Sequence, residues 1–225
     1  MRRRNVVAAF AVMLEAYGAF SYFGRTWGST RAEREKALPP DELIPYPVFR
    51  TDHAITIDAP PHDVWPWLVQ MGWGRAGWYT YRWVDKLLFP ANGPSAERIL
   101  RQYQSLAVGD VVPDGPPETR CQYVVEMLEP EALLVLRSHT HLPPKLRNAW
   151  MDWTWTYSLT PLPNDNTRLH VRVRGRVGPW WLALVYRAAI GADFVMGRSH
   201  LRGIKRRVEH RKQELAETVA ALTAA

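Results

Sequence analysis

The sequence predicts an α+β domain: a curved antiparallel sheet wrapped around a long C-terminal helix, with two short helices after the first strand and a separate helix at the N-terminus. Three observations predict it. Met151, Trp153, Trp155, Tyr157 and Leu159 alternate with Asp152, Thr154, Thr156 and Ser158; beyond a Pro163-Asn164-Asp165-Asn166 turn, Leu169, Val171, Val173 and Val177 alternate with Arg168, His170, Arg172, Arg174 and Arg176. Alternation of period two gives each strand one apolar and one polar face, as in an antiparallel sheet covered on one side. Phe194, Leu201, Ile204, Val208 and Leu215 then keep helical spacing, so the segment after Gly178 offers an apolar stripe to that face. His53 to Gly72 reads as a strand, a Pro60-Pro61 break and a short helix, since prolines suit a first helical turn whose N–H groups lack partners.

Taken in order, the chain opens with Arg2, Arg3 and Arg4 and an apolar run over residues 5–23 interrupted by Glu15. Its length approaches the roughly 20 residues of a spanning helix, and the arginines would keep its start on the cytoplasmic side. Against a span, a carboxylate near the centre costs about 2.5 to 3.5 kcal/mol on insertion scales. Three readings stay open: a signal anchor or interfacial helix, a cleaved signal peptide, and an amphipathic helix packed on its own domain. Localisation is correspondingly open between membrane-associated and cytoplasmic. Residues 1–24 are therefore a hydrophobic helix, and 25–49, rich in proline and charge, a linker. One domain is expected from residue 50 to 212, leaving 213–225 as a helix end or tail.

In the first helix Val64, Leu68 and Met71 form a stripe beside Trp67, and Pro66 is expected to kink it. The loop GWGRAGWY at 72–79 lacks both the G-x-G-x-x-G spacing and a following Lys-Ser or Lys-Thr, so it is no phosphate cradle. Thr80 to Phe89 reads as a second short helix stopped by Pro90, with Arg82 and Asp85 spaced for a surface ion pair. Strands are expected at Val108–Val112, Gln122–Leu128 and Ala132–His139, the last two forming a hairpin about Pro130. Gly191, Gly197 and Gly203 weaken the C-terminal helix locally and allow a bend or break.

Composition sets further bounds. At 225 residues the chain holds one domain of ordinary size plus an appendage, and its single cysteine, Cys121, excludes an intrachain disulfide or a cysteine-rich zinc site. Eleven tryptophans imply an aromatic-lined core or cavity. The net charge of +7 gathers at the N-terminal arginines and at Arg198, Arg202, Lys205, Arg206, Arg207, Arg211 and Lys212. That fits a solvated helix face or an anionic membrane surface; no zinc-finger, helix-turn-helix or RNP-type pattern supports nucleic acid.

The stretches AITIDAPPHDVWPWLVQMG, LAVGDVVPDGP and YVVEMLEPEALLVLRS, in this order and before a long C-terminal helix, resemble the START-related SRPBCC superfamily of helix-grip proteins. The run WPWLVQMGWGRAGWYTYRWVD is similar to actinobacterial-type members of undefined function. The resemblance covers about residues 50 to 212 and implies a deep apolar cavity between sheet and C-terminal helix. Superfamily members include lipid carriers, hormone receptors, polyketide cyclases and heat-shock coregulators, so it does not name a function.

The expected ligand-binding residues are Trp67, Met71, Trp78, Tyr79, Tyr81, Trp153, Trp155 and Tyr157. For each ring the plain alternative is core filling. His139 and His141 at a strand end would point to one side at period two, but spacing supplies no third metal ligand, and His62, His170 and His200 fall on expected polar faces. No catalytic residue, metal or cofactor is assigned. The first functional expectation is binding or carriage of a hydrophobic small molecule, lipid-like or polyketide-like, without catalysis. The alternatives are a cyclase or dehydratase-type enzyme using the same cavity, and a protein- or membrane-interaction module without ligand.

Overall fold

A computed structural model of the chain describes residues 2–88, 91, 93–142, 145–146, 148–189 and 193–223. The stop expected at Pro90 and the break expected at Gly191 lie outside them. Six strands form one antiparallel sheet in the order β1-β6-β5-β4-β3-β2: β1 Phe49–Ile57, β2 Val111–Pro113, β3 Gln122–Glu129, β4 Leu133–Ser138, β5 Trp150–Leu162 and β6 Asn166–Gly178. The helices are α1 Arg2–Thr26, α2 Arg31–Glu35, α3 Pro61–Val69, α4 Arg82–Leu88, α5 Trp180–Ala189 and α6 Asp193–Thr223. This is an α+β architecture of the helix-grip type.

The apolar face of the sheet is covered as the alternation requires. Leu169, Val171 and Val173 of β6 and Trp155, Tyr157 and Leu159 of β5 are buried with Leu201, Ile204 and Val208 of α6 and with Val64, Trp67 and Leu68 of α3. Helix α3 runs through Pro66 without ending. Helix α6 is buried only over its first half, and from His210 to Thr223 every residue is exposed. Gly203 reads in sequence as a weak point of this helix, but it serves close approach: a Cβ there would overlap the Tyr79 carbonyl oxygen.

The opposite face is not wet, which corrects the sequence reading. Asp52, Thr154, Thr156, His170, Arg172 and Arg174 are all buried. Residues 27–48, expected as a linker, lie over them as α2 and a 3-10 turn at Pro39–Leu43, and Arg172 is the clamp. Its Nε donates to Asp52 at 2.7 Å, Nη1 to Asp41 at 2.6 Å and Lys36 O at 2.9 Å, and Nη2 to Glu33 O at 2.8 Å and Arg34 O at 3.3 Å. All five guanidinium donors are thus used, several on carbonyls at the C-terminal end of α2, where a cation is favoured. Alternation alone shows which residues share a face; it does not show that another part of the chain will cover it.

Helix α2 is closed at its start by a reciprocal cap, Thr30 N–H to Glu33 at 2.6 Å and Glu33 N–H to Thr30 Oγ1 at 3.2 Å. Burial raises the Glu33 pKa, but bonds from Arg168 and Thr30 outweigh it and bring the group down to about 2. Just before α2, Gly28 bridges His53, and Ala54 N–H donates to Trp27 O at 3.1 Å, so the outer edge of β1 is partnered by a short piece of its own chain.

Helix α1 docks at its C-terminal end. Phe23 packs edge-on against Phe194 at 5.4 Å, and Gly24 O lies 2.7 Å from His53 Nε2. Residues 11–20 are exposed, tied to the domain by a hydrogen bond from Tyr17 to Ala188 O of α5. No helix among the described residues is long and apolar enough to cross a membrane.

Candidate functional site

Strand geometry builds the centre of the site. Trp153, Trp155 and Tyr157 lie two residues apart on β5 and so project from one face. Tyr123 joins them from β3, Trp78 and Tyr79 from the loop after α3, and His200 from α6. Trp155 is the hub, with ring centroids 5.7 Å from Trp78, 5.6 Å from Tyr123, 6.1 Å from Trp153, 6.3 Å from Tyr157 and 6.2 Å from His200. Most of these pairs are tilted or edge-on, the arrangements favoured by ring quadrupoles. Tyr79 stacks on His200 at 6.5 Å and 10° and meets Trp67 edge-on at 5.8 Å.

Seven of the eight expected ligand-binding residues therefore share one interior. Trp67, Met71, Trp78, Tyr79, Trp155 and Tyr157 are core residues, and Trp153 is partly buried against them. Tyr81 is exposed and turns instead to a surface cleft.

His200, expected on a polar face, is buried, and burial takes its pKa down to about 4. The neutral ring has a definite tautomer: Nδ1–H donates to Trp78 O, leaving Nε2 to accept from the Tyr157 hydroxyl at 3.2 Å. The sequence carried a usable signal, since His200 stands four residues before Ile204 and shares its apolar stripe. Tyr123 was legible in the same way, two residues before buried Val125 on β3.

The polar atoms of this cluster are incompletely paired. The indole nitrogens of Trp67, Trp78, Trp153 and Trp155, the Tyr123 hydroxyl and Asp114 Oδ1 are buried without a closed hydrogen bond among the described residues. At one rim His141 Nε2 donates to Asp114 Oδ2 at 2.7 Å, while His141 Nδ1 lies 2.6 Å from Ser138 Oγ. Burial raises the Asp114 pKa; His141 opposes the rise, as do the nearby Trp78 N–H and Tyr123 hydroxyl, which face the carboxylate without closing a hydrogen bond to Oδ1. His139 takes a different partner, Met151 O at 3.2 Å. Strand β4 ends at Ser138, so period two no longer applies to His139 and His141. Among the described residues no group of three or more His, Cys, Asp or Glu could hold a metal ion. Prolines 143 and 144 lie outside the described residues.

Two voids adjoin the cluster. The inner one, about 20 Å³, lies between sheet and α6 and is lined by His53, Trp155, Val171, Val173, Asp193 and His200 among others. It has room for about one water molecule, so the rings largely fill the interior. Burial pushes Asp193 up and His53 down, holding both toward their neutral forms. The outer void is a cleft of about 680 Å³ between α4 and α6, lined by Tyr79, Tyr81, Arg82, Lys86, Arg202 and Arg206 among others. Asp85, expected to pair with Arg82, accepts a hydrogen bond from Thr80 instead.

Tyr79 is a wall of both the ring cluster and the cleft. It is a non-glycine residue at φ 58°, held there by bonds from its hydroxyl to Trp67 O at 2.9 Å and from Gln70 Nε2 at 2.9 Å. Such backbone conformations cost on the order of 1 kcal/mol or more and persist where surroundings enforce them. Arg207 lies over its ring at 4.9 Å.

No family model and no curated protein matches the chain. Several solved structures are similar to it. Protein MLL2253 from Mesorhizobium loti shares 16% identity, covering 72% of this chain and 98% of that one, with a TM-score of 0.44. The hypothetical protein jhp0584 from Helicobacter pylori shares 10% identity over 76% and 94%, with a TM-score of 0.46. The Polyketide_cyc-like protein Cgl2372 from Corynebacterium glutamicum shares 16% over 76% and 97%, with a TM-score of 0.39.

Proposed function

We propose that this protein binds a hydrophobic small molecule, lipid-like or polyketide-like, in the aromatic interior between sheet and α6, as a binder or carrier. The observation that carries this reading is the set of buried indole N–H groups on Trp67, Trp153 and Trp155 that have no partner among the described residues. Each such group costs roughly 1 to 3 kcal/mol when left unpaired. Rings that only filled a core would need no cluster of unanswered donors. A ligand with a flat apolar body and an oxygen acceptor would use both the ring faces and these donors. The 680 Å³ cleft supplies an approach, and the shared wall at Tyr79 is where rings must give way, because the inner void is too small for a ligand as it stands.

A second reading, a cyclase or dehydratase-type enzyme in the same interior, is favoured by one feature: a buried carboxyl, Asp114, kept toward its protonated form beside Tyr123 and His141. Native mass spectrometry of the full chain purified from its own host tests the first reading. A co-purifying apolar compound that Trp155→Ala loses is the expected result. Repeated ligand-free preparations that also leave tryptophan emission unmoved by anilinonaphthalene sulfonate would end it. Turnover of the recovered compound, abolished in Asp114→Asn, would shift the assignment to the enzyme.

A further inference from the structure

We infer that α1 and α5 together form a docking surface for an anionic lipid interface, on which the protein rests without crossing it. On α5, Trp180, Trp181, Leu184 and Val185 are 75%, 44%, 56% and 53% exposed, at positions i, i+1, i+4 and i+5, so they share one side of the helix. The other side is fixed to the domain by buried Leu182 and by Tyr186, stacked on Phe49 at 5.3 Å. On α1, Met13, Tyr17 and Phe20 recur at helical spacing and are exposed, with Glu15, Gly18, Ala19 and Tyr22 around the far side. Tyr17 is the residue that bonds to Ala188 O, which puts the two apolar faces side by side.

Contiguous apolar exposure on this scale marks a binding surface. Charge decides what binds. The two helices carry Arg2, Arg3, Arg4, Arg25 and Arg187 against the single acid Glu15. A second copy would bring the same positive surface against itself, whereas an anionic lipid surface is complementary. The adjacent tryptophans suit the headgroup level, where an amphipathic ring has one apolar and one wet end. Lying in the interface and not across it also fits α1, since no helix among the described residues is long and apolar enough to cross a membrane. This surface is separate from the ring-lined interior, and the inference stands whether or not that interior takes a ligand.

The test is co-sedimentation of the full chain with vesicles of phosphatidylcholine alone or with phosphatidylglycerol added. Binding should rise with phosphatidylglycerol, fall with salt, and drop at least tenfold in the W180S/W181S double variant. Both side chains are exposed, and an unchanged thermal melt verifies that the fold is kept. Val185→Glu, on the same exposed side, should weaken binding in parallel. Equal sedimentation with and without vesicles overturns the inference, as does binding that both variants leave intact. A concentration-dependent dimer that W180S/W181S abolishes, in protein that ignores vesicles, would assign the surface to a second copy instead.

Discussion

His200 concentrates the chemistry of the interior in one residue. Its folded pKa of about 4 lies below the ordinary 6.5, so the unfolded chain takes up its proton first as pH falls. The contribution of the neutral ring is complete above pH 6.5 and is lost progressively as pH falls, the loss reaching roughly 3 kcal/mol at about pH 4. Urea denaturation at pH 7, 5 and 4 should show this slope, and His200→Gln should flatten it. Glu33 titrates in a separate window: its depressed pKa stabilises the fold above 4.5 and that contribution disappears toward pH 2. Gly203 makes the opposite point, since what matters there is a missing atom. Gly203→Ala would push α6 away from the Tyr79 carbonyl and should lower stability by about 1 to 3 kcal/mol despite alanine's better helix propensity, a result that thermal melts can check.

Among the elements, β6 is the one whose two faces do different work. Val171 and Val173 face the inner void, while Arg172 between them holds α2 and the following turn. Arg172→Met leaves buried Asp52 and half-buried Asp41 short of their partner and should cost about 3 to 5 kcal/mol. Arg176→Met, on the same strand but exposed, should stay within about 0.5 kcal/mol. Hydrogen exchange should locate the damage in residues 27–48. The sequence made β5 and β6 readable through alternation and α6 through its stripe, because both periods are written directly in residue order. It hid the cover over Arg172, because proline-rich chain packed by its carbonyls carries no period. For the same reason Trp67, Met71, Trp153, Trp155 and Tyr157 could be placed on apolar faces from helix and strand spacing, while Asp114 and His141 meet across a distance that no local spacing encodes.

For the whole molecule, the contacts of residues 27–48 predict a folding boundary before residue 50. A chain starting at Ser21 keeps the Gly24, Trp27 and α2 contacts and should melt at the temperature of the full protein. One starting at Thr51 loses every partner that Arg172 has outside β1 and should fail to fold cooperatively; scanning calorimetry of the two distinguishes them. The interior and the α1–α5 surface then become separable questions, one answered by a small molecule and the other by lipid.

The strip of chain at Trp27 and Gly28 against β1 has one more consequence. An open sheet ends in unpaired N–H and C=O groups that invite a strand from another molecule. Here one margin is already partnered by Ala54 N–H to Trp27 O and the Gly28–His53 bridge, and the other ends in β2, three residues long and finishing at Pro113. Both margins are therefore blunted against growth by strand addition.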